Sequence, residues 1–208
     1  MSQPASAAPM PTPGGSYPVS LDLTSPLEVD RWRPLVNWLL AIPQYVVLGV
    51  LGVISQVLLI VSFFTVLFTT RIPDGIYGFQ VMYLRYYWRT ISFGHFFVRN
   101  DYPPFTFDTT TQDQSGDPAT VSVDQPVELN RWLPLVKWLL AIPHFIALAI
   151  VGIGVGVVVL IAFFAVIFTG RWPEGMRRFV VGYMRWSMRV NAYFFLLVDP
   201  YPPFRLAP

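Results

Sequence analysis

Residues 31–43 read RWRPLVNWLLAIP, and residues 131–143 read RWLPLVKWLLAIP, so eleven of thirteen positions match at an offset of 100. The agreement extends to the motif YPPF, which occupies residues 102–105 and, after a slip of one residue, residues 201–204. A match that recurs at one fixed offset indicates an internal duplication. The chain is therefore predicted to consist of two tandem copies of one unit.

Two polar or flexible segments set the boundaries of these copies. The sequence TTTQDQSGDP, residues 109–118, predicts a polar linker between repeat 1, residues 17–108, and repeat 2, residues 119–208. The stretch before residue 17 is rich in Pro, Ala, Ser and Gly. This composition predicts a disordered tail over residues 1–16, with neither the basic nor the apolar region of a signal peptide.

Each repeat contains one long uncharged stretch, at residues 35–70 and 135–170, in which Lys137 is the single charged residue. The whole chain is 54% hydrophobic and only 12% charged, whereas typical soluble domains are about 25% charged. A run of about 18 or more apolar residues is typical of a membrane span. We therefore predict a mainly α, integral membrane fold.

The length of these stretches leaves two membrane arrangements open. A straight helix of this length would measure about 54 Å, and the hydrocarbon core of a bilayer is about 30 Å thick. In one arrangement residues 31–42 lie along the interface, Pro43 marks a break, and residues 44–69 span once. In the other, each stretch folds back as a hairpin of two short spans, with the bend near the glycines.

The distribution of positive charge favours the hairpin, and with it about four membrane segments in total. All fourteen Lys and Arg residues lie at or near the flanks of the apolar stretches. Hairpins would place all of them on one side, whereas single spans would divide them eight to six, and cytoplasmic flanks carry an excess of Lys and Arg. The prediction is a multi-pass protein of the bacterial cytoplasmic (inner) membrane, with the basic flanks and the N-terminus in the cytoplasm.

Shorter elements flank each apolar stretch. Alternation of apolar and polar residues at 19–23 and 121–123 predicts a short strand in each repeat. After the turns at residues 71–75 and 171–175, an Arg- and aromatic-rich segment predicts a helix. Because arginine is costly inside a bilayer, we expect this helix to be amphipathic and to lie in the membrane interface.

Five arginines of these helices are candidate contacts for anionic lipid headgroups, and the alternative is that they anchor the helices or pair with nearby acids. Gly152 and Gly156 have the spacing that lets two helices pack closely, although glycines also suit the bend of a hairpin. The candidate lipid contacts are Arg85, Arg89, Arg178, Arg185 and Arg189.

The sequence offers no constellation for catalysis. None of the twelve carboxylates lies within an apolar stretch, where a carrier of protons or ions usually needs ionisable groups. The chain has two histidines, His95 and His144, and no cysteine, which excludes disulfides and thiolate metal sites. We therefore expect no enzymatic activity, no metal and no cofactor, and the net charge of +2 argues against binding to nucleic acid.

Three motifs of repeat 2 resemble a bacterial membrane family known as domain of unknown function 4389. They are PLVKWLLAIPH at residues 134–144, FTGRWPEG at 168–175 and RWSMRVNAYFFLLVDPYPPF at 185–204. The resemblance covers nearly the whole chain beyond residue 17, and repeat 1 departs from it where Gln44 replaces the histidine. It implies a membrane location, common in actinobacteria and often in tandem, and implies no activity or site residues.

Two functions are compatible with these features. The first is a non-enzymatic membrane scaffold or accessory subunit, with membrane shaping as one version of that role. The alternative is a component of a lipid or small-solute transport system that binds anionic headgroups. The expected partners are the lipid bilayer, anionic lipids, and either a second membrane protein or further copies of this chain.

Overall fold

A computed structural model describes residues 17–207, and the predicted tail at residues 1–16 lies outside this range. The described chain is mainly helical and contains one two-stranded sheet. Repeat 1 supplies four elements and repeat 2 supplies three. In chain order they are β1 (Val19–Leu23), α1 (Arg33–Leu40), α2 (Ile42–Thr69), α3 (Asp74–Gly94), β2 (Ala119–Val123), α4 (Leu133–Thr169) and α5 (Glu174–Phe194).

The two strands form an antiparallel ribbon in which each repeat contributes one strand, which confirms the predicted strands. Leu21 lies opposite Val121, and Val19 lies opposite Val123. The apolar residues of β1 face the core and Ser20 and Asp22 face outward, as the alternation predicts. Each strand packs on the helix of the other repeat, β1 on α5 and β2 on α3, so the two repeats interlock.

The two repeats are related by approximate two-fold symmetry. The exposed ion pair between Arg71 and Glu128 has its counterpart, at an offset of 100, in the pair between Arg171 and Glu28. Backbone hydrogen bonds repeat in the same way: the amide of Leu129 donates to the carbonyl of Thr70, and the amide of Val29 donates to the carbonyl of Gly170. Because both directions of each contact are present, the interface between the repeats is isologous, as in a symmetric dimer.

The predicted hairpin within each apolar stretch is wrong, because each stretch forms helix without reversing. In repeat 2 a single helix, α4, runs through Pro143, and in repeat 1 only Ala41 interrupts the helix between α1 and α2. Pro43 lies in the first turn of α2, where its missing N–H breaks no helical hydrogen bond. The chain reverses later, at Thr70 and Gly170, which adopt left-handed backbone conformations.

The apolar helix and the Arg-rich helix of each repeat instead form an antiparallel pair. In repeat 1 the side-chain amide of Asn37, in α1, donates to the carbonyl of Phe93, and that of Gln80 donates to the carbonyl of Ser55, in α2, so α3 contacts both α1 and α2. Gly52 faces Tyr83 at the centre of this pair, and Gly152 faces Tyr183 at the equivalent place. Small residues there let the tyrosine rings lie against the helix backbone.

The helices and the ribbon form three layers. The ribbon lies on one face of α3 and α5, and α2 and α4 lie on the opposite face. The Arg-rich helices are therefore the central, largely buried layer, and not interfacial helices as the sequence predicted. Two helices, α2 and α4, are long and apolar enough to cross a membrane, and only 17% of the most apolar 18-residue window is buried in each.

Candidate functional site

Burial divides the five predicted lipid contacts into two groups. Arg85, Arg89 and Arg189 are buried and bind groups of the chain itself. Arg185 is partly buried and Arg178 is exposed, and both pair with carboxylates. Because a buried guanidinium cannot reach a headgroup, the lipid role stays a prediction for Arg178 and Arg185 and requires rearrangement at the other three.

The cluster in repeat 1 forms around the carboxylate of Asp113, whose side chain is fully buried. Its Oδ2 atom lies 3.1 Å from Nε of Arg85 and 2.9 Å from Nη2 of Arg89. The amide of Val121 and the amide and hydroxyl of Ser115 also donate to this carboxylate. Residues 109–118, predicted as a simple polar linker, thus supply the counter-ion of two buried arginines.

Electrostatics stabilises the ionised form of Asp113. Burial, the largest effect, would raise the pKa of its carboxyl group, but the hydrogen bonds from Ser115 and the charges of Arg89 and Arg85 together hold the pKa below its usual value. The carboxylate therefore stays charged at neutral pH, and each guanidinium keeps its partner.

Both arginines of this cluster also bind strand and linker carbonyls. Arg85 donates from Nε to the carbonyl of Val121 and from Nη2 to that of Thr110. Arg89 donates from Nε to the carbonyl of Ala119. Nearby, Arg99 forms a bidentate ion pair with Asp117, in which Nη1 lies 2.7 Å from Oδ1 and Nη2 lies 3.0 Å from Oδ2. These contacts tie α3, β2 and the linker into one unit.

The equivalent cluster in repeat 2 contains the same arginines with fewer carboxylates. Arg185 donates from Nε to the carbonyl of Leu21, the symmetric counterpart of Val121, and from Nη2 to Asp22. Arg189 donates to the carbonyls of Arg205 and Ala207. Among residues 17–207, no carboxylate lies within ion-pair distance of Arg189.

A cavity of about 130 Å³ lies beside this second cluster. Its walls come from β1, from Tyr17, which lies two residues before β1, and from α5. The tyrosine hydroxyl donates to the carbonyl of Pro200 at 3.0 Å, which holds the C-terminal segment over the helix. The residues lining the cavity are Tyr17, Val19, Ser20, Leu21, Asp22, Arg185 and Arg189.

The glycines predicted for helix packing behave differently. A Cβ atom at Gly152 would lie 3.2 Å from the hydroxyl of Tyr183, so this glycine lies in a helix contact. A Cβ atom at Gly156 would meet nothing within 4 Å. The packing role predicted from their spacing therefore applies to Gly152 in this structure, and the contact is with α5.

Two polar side chains of α2 and α4, Gln44 and His144, face the protein core. Gln44 accepts a hydrogen bond from Tyr86 and donates to the carbonyl of Pro103. Its counterpart His144 accepts from Trp186 at 3.1 Å and stacks on Phe204. These hydrogen bonds hold α2 and α4 against the rest of the protein. Among the described residues, no cluster of His, Asp and Glu could hold a metal ion.

The outer face of α2 and α4 is a largely apolar surface, with Gln56 exposed among its side chains, and we call it the apolar face. Its most exposed side chains recur at helical spacing and at the same positions in both repeats, and Val53, for example, is 67% exposed. No charged residue interrupts them. The set comprises Val46, Val50, Val53, Val57, Ile60, Phe64 and Phe68 in α2, and Ile146, Ile150, Ile153, Val157, Leu160, Phe164 and Phe168 in α4.

Sequence comparison assigns a family description to both repeats. The model of a family described as "Domain of unknown function (DUF4389)" matches residues 31–106 and again residues 132–205. The two matches confirm the resemblance and the tandem arrangement inferred from the motifs. No curated protein and no solved structure matches the chain.

Proposed function

The chain belongs to the DUF4389 family, and on that premise we propose that it is a non-enzymatic membrane scaffold whose apolar face is inserted into one leaflet of the bilayer. The three-layer fold then divides by polarity, with α2 and α4 among the lipid chains and the ribbon in water. This proposal keeps the membrane location expected from the sequence and replaces four membrane segments by two helices.

The exposure of the apolar face carries this proposal. Soluble monomers rarely expose contiguous apolar patches larger than a few hundred Å², and here fourteen large side chains along two helices are exposed. The opposite side of α2 packs on α3, that of α4 packs on α5, and only these sides are buried. A surface of this composition is stable against lipid chains and not against water.

The layer order determines how these helices lie in the bilayer. Tyr183 faces Gly152, near the middle of α4, and two residues further along α5 Arg185 pairs with Asp22. The side chain of Asp22 is 59% exposed. If α4 crossed the bilayer upright, this carboxylate would lie level with the bilayer centre, where a charged side chain costs at least about 2.5 kcal/mol.

The ribbon gives a second argument for the same orientation. Its open edges and the exposed linker would lie at membrane depth if α2 and α4 stood upright, and unpaired backbone groups are not tolerated in contact with lipid. We therefore place both apolar helices along the membrane plane. At about 55 Å, α4 is also much longer than the roughly 30 Å hydrocarbon core that an upright helix would need to span.

Aromatic and basic residues border the apolar face. Trp32 and Trp38 are exposed at the start of the helical stretch in repeat 1, and Trp132 and Trp138 are exposed at the start of α4. Indole rings favour the level of the headgroups. They would fix the depth of both helices, and the neighbouring basic residues suit the anionic cytoplasmic surface of a bacterial inner membrane.

Insertion into one leaflet gives the scaffold a mechanical effect. An in-plane helix enters the headgroup and acyl boundary by about 5–10 Å, which expands one leaflet relative to the other and bends the membrane. Purified protein should float with liposomes and should tubulate or shrink them at high surface density, as seen by electron cryomicroscopy. Failure to float would refute the membrane proposal, and flotation with unchanged vesicle shape would refute the bending role.

A cavity in the apolar face favours the second candidate function, a component of lipid transport. It has a volume of about 330 Å³ and lies between α2 and the start of α4, with Phe63, Trp138 and Phe194 among its walls. An acyl chain matches its apolar lining. Native mass spectrometry of protein in lipid nanodiscs should then show one retained lipid, and Leu59→Trp should displace it; the absence of retained lipid would exclude this function.

A further inference from the structure

We propose that the second arginine cluster, around Arg185 and Arg189, binds an oxyanion, a carboxylate or a phosphate group, in the position that Asp113 occupies in repeat 1. The cluster of repeat 1 can be compared directly with that of repeat 2, because both repeats place equivalent arginines beside equivalent strands. The inference concerns the ribbon side of the molecule and does not depend on the membrane role of the apolar face.

Three of the donors that hold Asp113 have counterparts in repeat 2, whereas the amide and hydroxyl of Ser115 have none among the described residues. The three donors in repeat 1 are the guanidiniums of Arg85 and Arg89 and the amide of Val121, which lies 3.3 Å from Oδ2. The counterpart of Val121 is Leu21, whose carbonyl accepts from Arg185 as that of Val121 accepts from Arg85. In an antiparallel ribbon, the N–H and C=O of one residue point the same way, so the amide of Leu21 also faces the arginines.

Among residues 17–207 the acidic partner does not recur. Asp113 precedes β2 by a few residues, whereas residues 1–21, up to and through most of β1, contain no Asp or Glu. Asp22 pairs with Arg185 from an exposed position, and its counterpart is Ser122. The guanidinium of Arg189 is therefore left with carbonyl partners from the described residues, although it is as buried as that of Arg89.

The electrostatics of repeat 2 favours a negative ligand. Burial and the charge of Arg205 lower the pKa of Arg189, Tyr17 acts in the opposite direction, and Arg185 lowers it further. An added oxyanion would compensate these charges, as buried cations in proteins normally require. The adjoining cavity of about 130 Å³ has room for a group of the size of a carboxylate or phosphate.

The test is a thermal unfolding titration with inorganic phosphate, at constant ionic strength set by chloride, of the protein in phosphatidylcholine nanodiscs. Saturating phosphate should raise the unfolding midpoint by roughly 5–10 °C. Arg189→Gln should remove the response. Arg189→Lys keeps the positive charge but loses the planar guanidinium with its paired N–H donors, and it should reduce the response. The matched control Arg178→Gln, at an exposed arginine outside the cluster, should keep the full response.

Repeat 1 supplies a second, independent readout. Asp113→Ala removes the internal carboxylate, and acetate or phosphate should then restore part of the lost stability. Nanodiscs that contain phosphatidylglycerol distinguish the sources of the ligand: stabilisation by this lipid without free phosphate assigns a lipid headgroup, and stabilisation by phosphate in neutral nanodiscs assigns a soluble oxyanion. No stabilisation by either, or an unchanged response in Arg189→Gln, would overturn the site.

Discussion

Replacement of Asp113 by asparagine tests whether the linker holds the fold together. Asparagine keeps the size of the side chain and exchanges one acceptor oxygen for an NH2 donor that faces two guanidiniums. The carboxylate accepts from Arg85, Arg89, Ser115 and the amide of Val121, and its side chain is fully buried. The substitution therefore removes the shared and nearest counter-ion of two buried cations, and leaves Arg85 3.8 Å from Asp108 and Arg89 3.7 Å from Asp117.

The expected loss is large for a single polar substitution. Removing one partner of a buried ion pair costs about 3–5 kcal/mol, because the remaining charge is desolvated and uncompensated. For a chain of this size about 1 kcal/mol corresponds to roughly 2–4 °C in the unfolding midpoint. Asp113→Asn should therefore unfold roughly 6–20 °C below the native protein.

Tryptophan fluorescence during heating in detergent would measure this change, since seven tryptophans report on the fold. Glu128→Gln is the matched control, because it removes a carboxylate from the exposed pair with Arg71. Exposed pairs contribute about 0–1 kcal/mol, so the control should unfold within about 4 °C of the native protein. Equal midpoints for the two variants would refute the central role of Asp113.

Three further predictions concern acid stability, the packing of α3 and membrane insertion. The pKa values of Asp113 and Asp108 lie below the usual value of 3.8, so the stability that these carboxylates contribute should be constant at neutral pH. It should be lost as the pH falls below about 4. Chemical denaturation in detergent at a series of pH values would measure this loss. Gly78→Ala would direct a Cβ atom into the carbonyl oxygen of Thr109 and should cost about 1–3 kcal/mol, whereas Gly75→Ala, which meets nothing within 4 Å, should change the unfolding free energy by less than about 1 kcal/mol. Val53→Lys should leave the fold intact and weaken liposome flotation by up to roughly a hundredfold, because an ammonium in the apolar region costs up to about 3 kcal/mol; unchanged flotation would place this residue outside the membrane.

The sequence predicts the local elements and their duplication well. Alternation at residues 19–23 and 121–123 marks both strands, because one face of the ribbon is buried. Repeated motifs identify the two copies, and both match the family model. These features are local or recur at a fixed offset, so no knowledge of tertiary contacts is needed to find them.

The arrangement of the elements could not be predicted in the same way. The hairpin prediction treated Gly152 and its neighbours as a bend, whereas the glycine side of the helix is where Tyr183 packs. The cost of arginine inside a bilayer led to the prediction that Arg85 and Arg89 lie at a membrane surface, because their partner Asp113 lies in a polar segment with no periodic pattern. The first contact forms where α5 packs on α4, and the second forms where the linker and β2 pack on α3, so only the tertiary structure brings these residues together.

The depth of the apolar face in a bilayer is the most direct measure of the proposed architecture. The native chain has no cysteine, so single nitroxide labels can be attached at Val46, Val53, Ile60 and Phe68, which lie on one side of α2. Power saturation with oxygen and with a water-soluble nickel complex reports the depth of each label. If the helix lies in the membrane plane, all four labels should have one shared depth of about 5–10 Å. An upright helix would spread the labels over roughly 33 Å along the bilayer normal. Labels at Val53 and Ile60 would then be deep and the outer two shallow, and that profile would contradict the account.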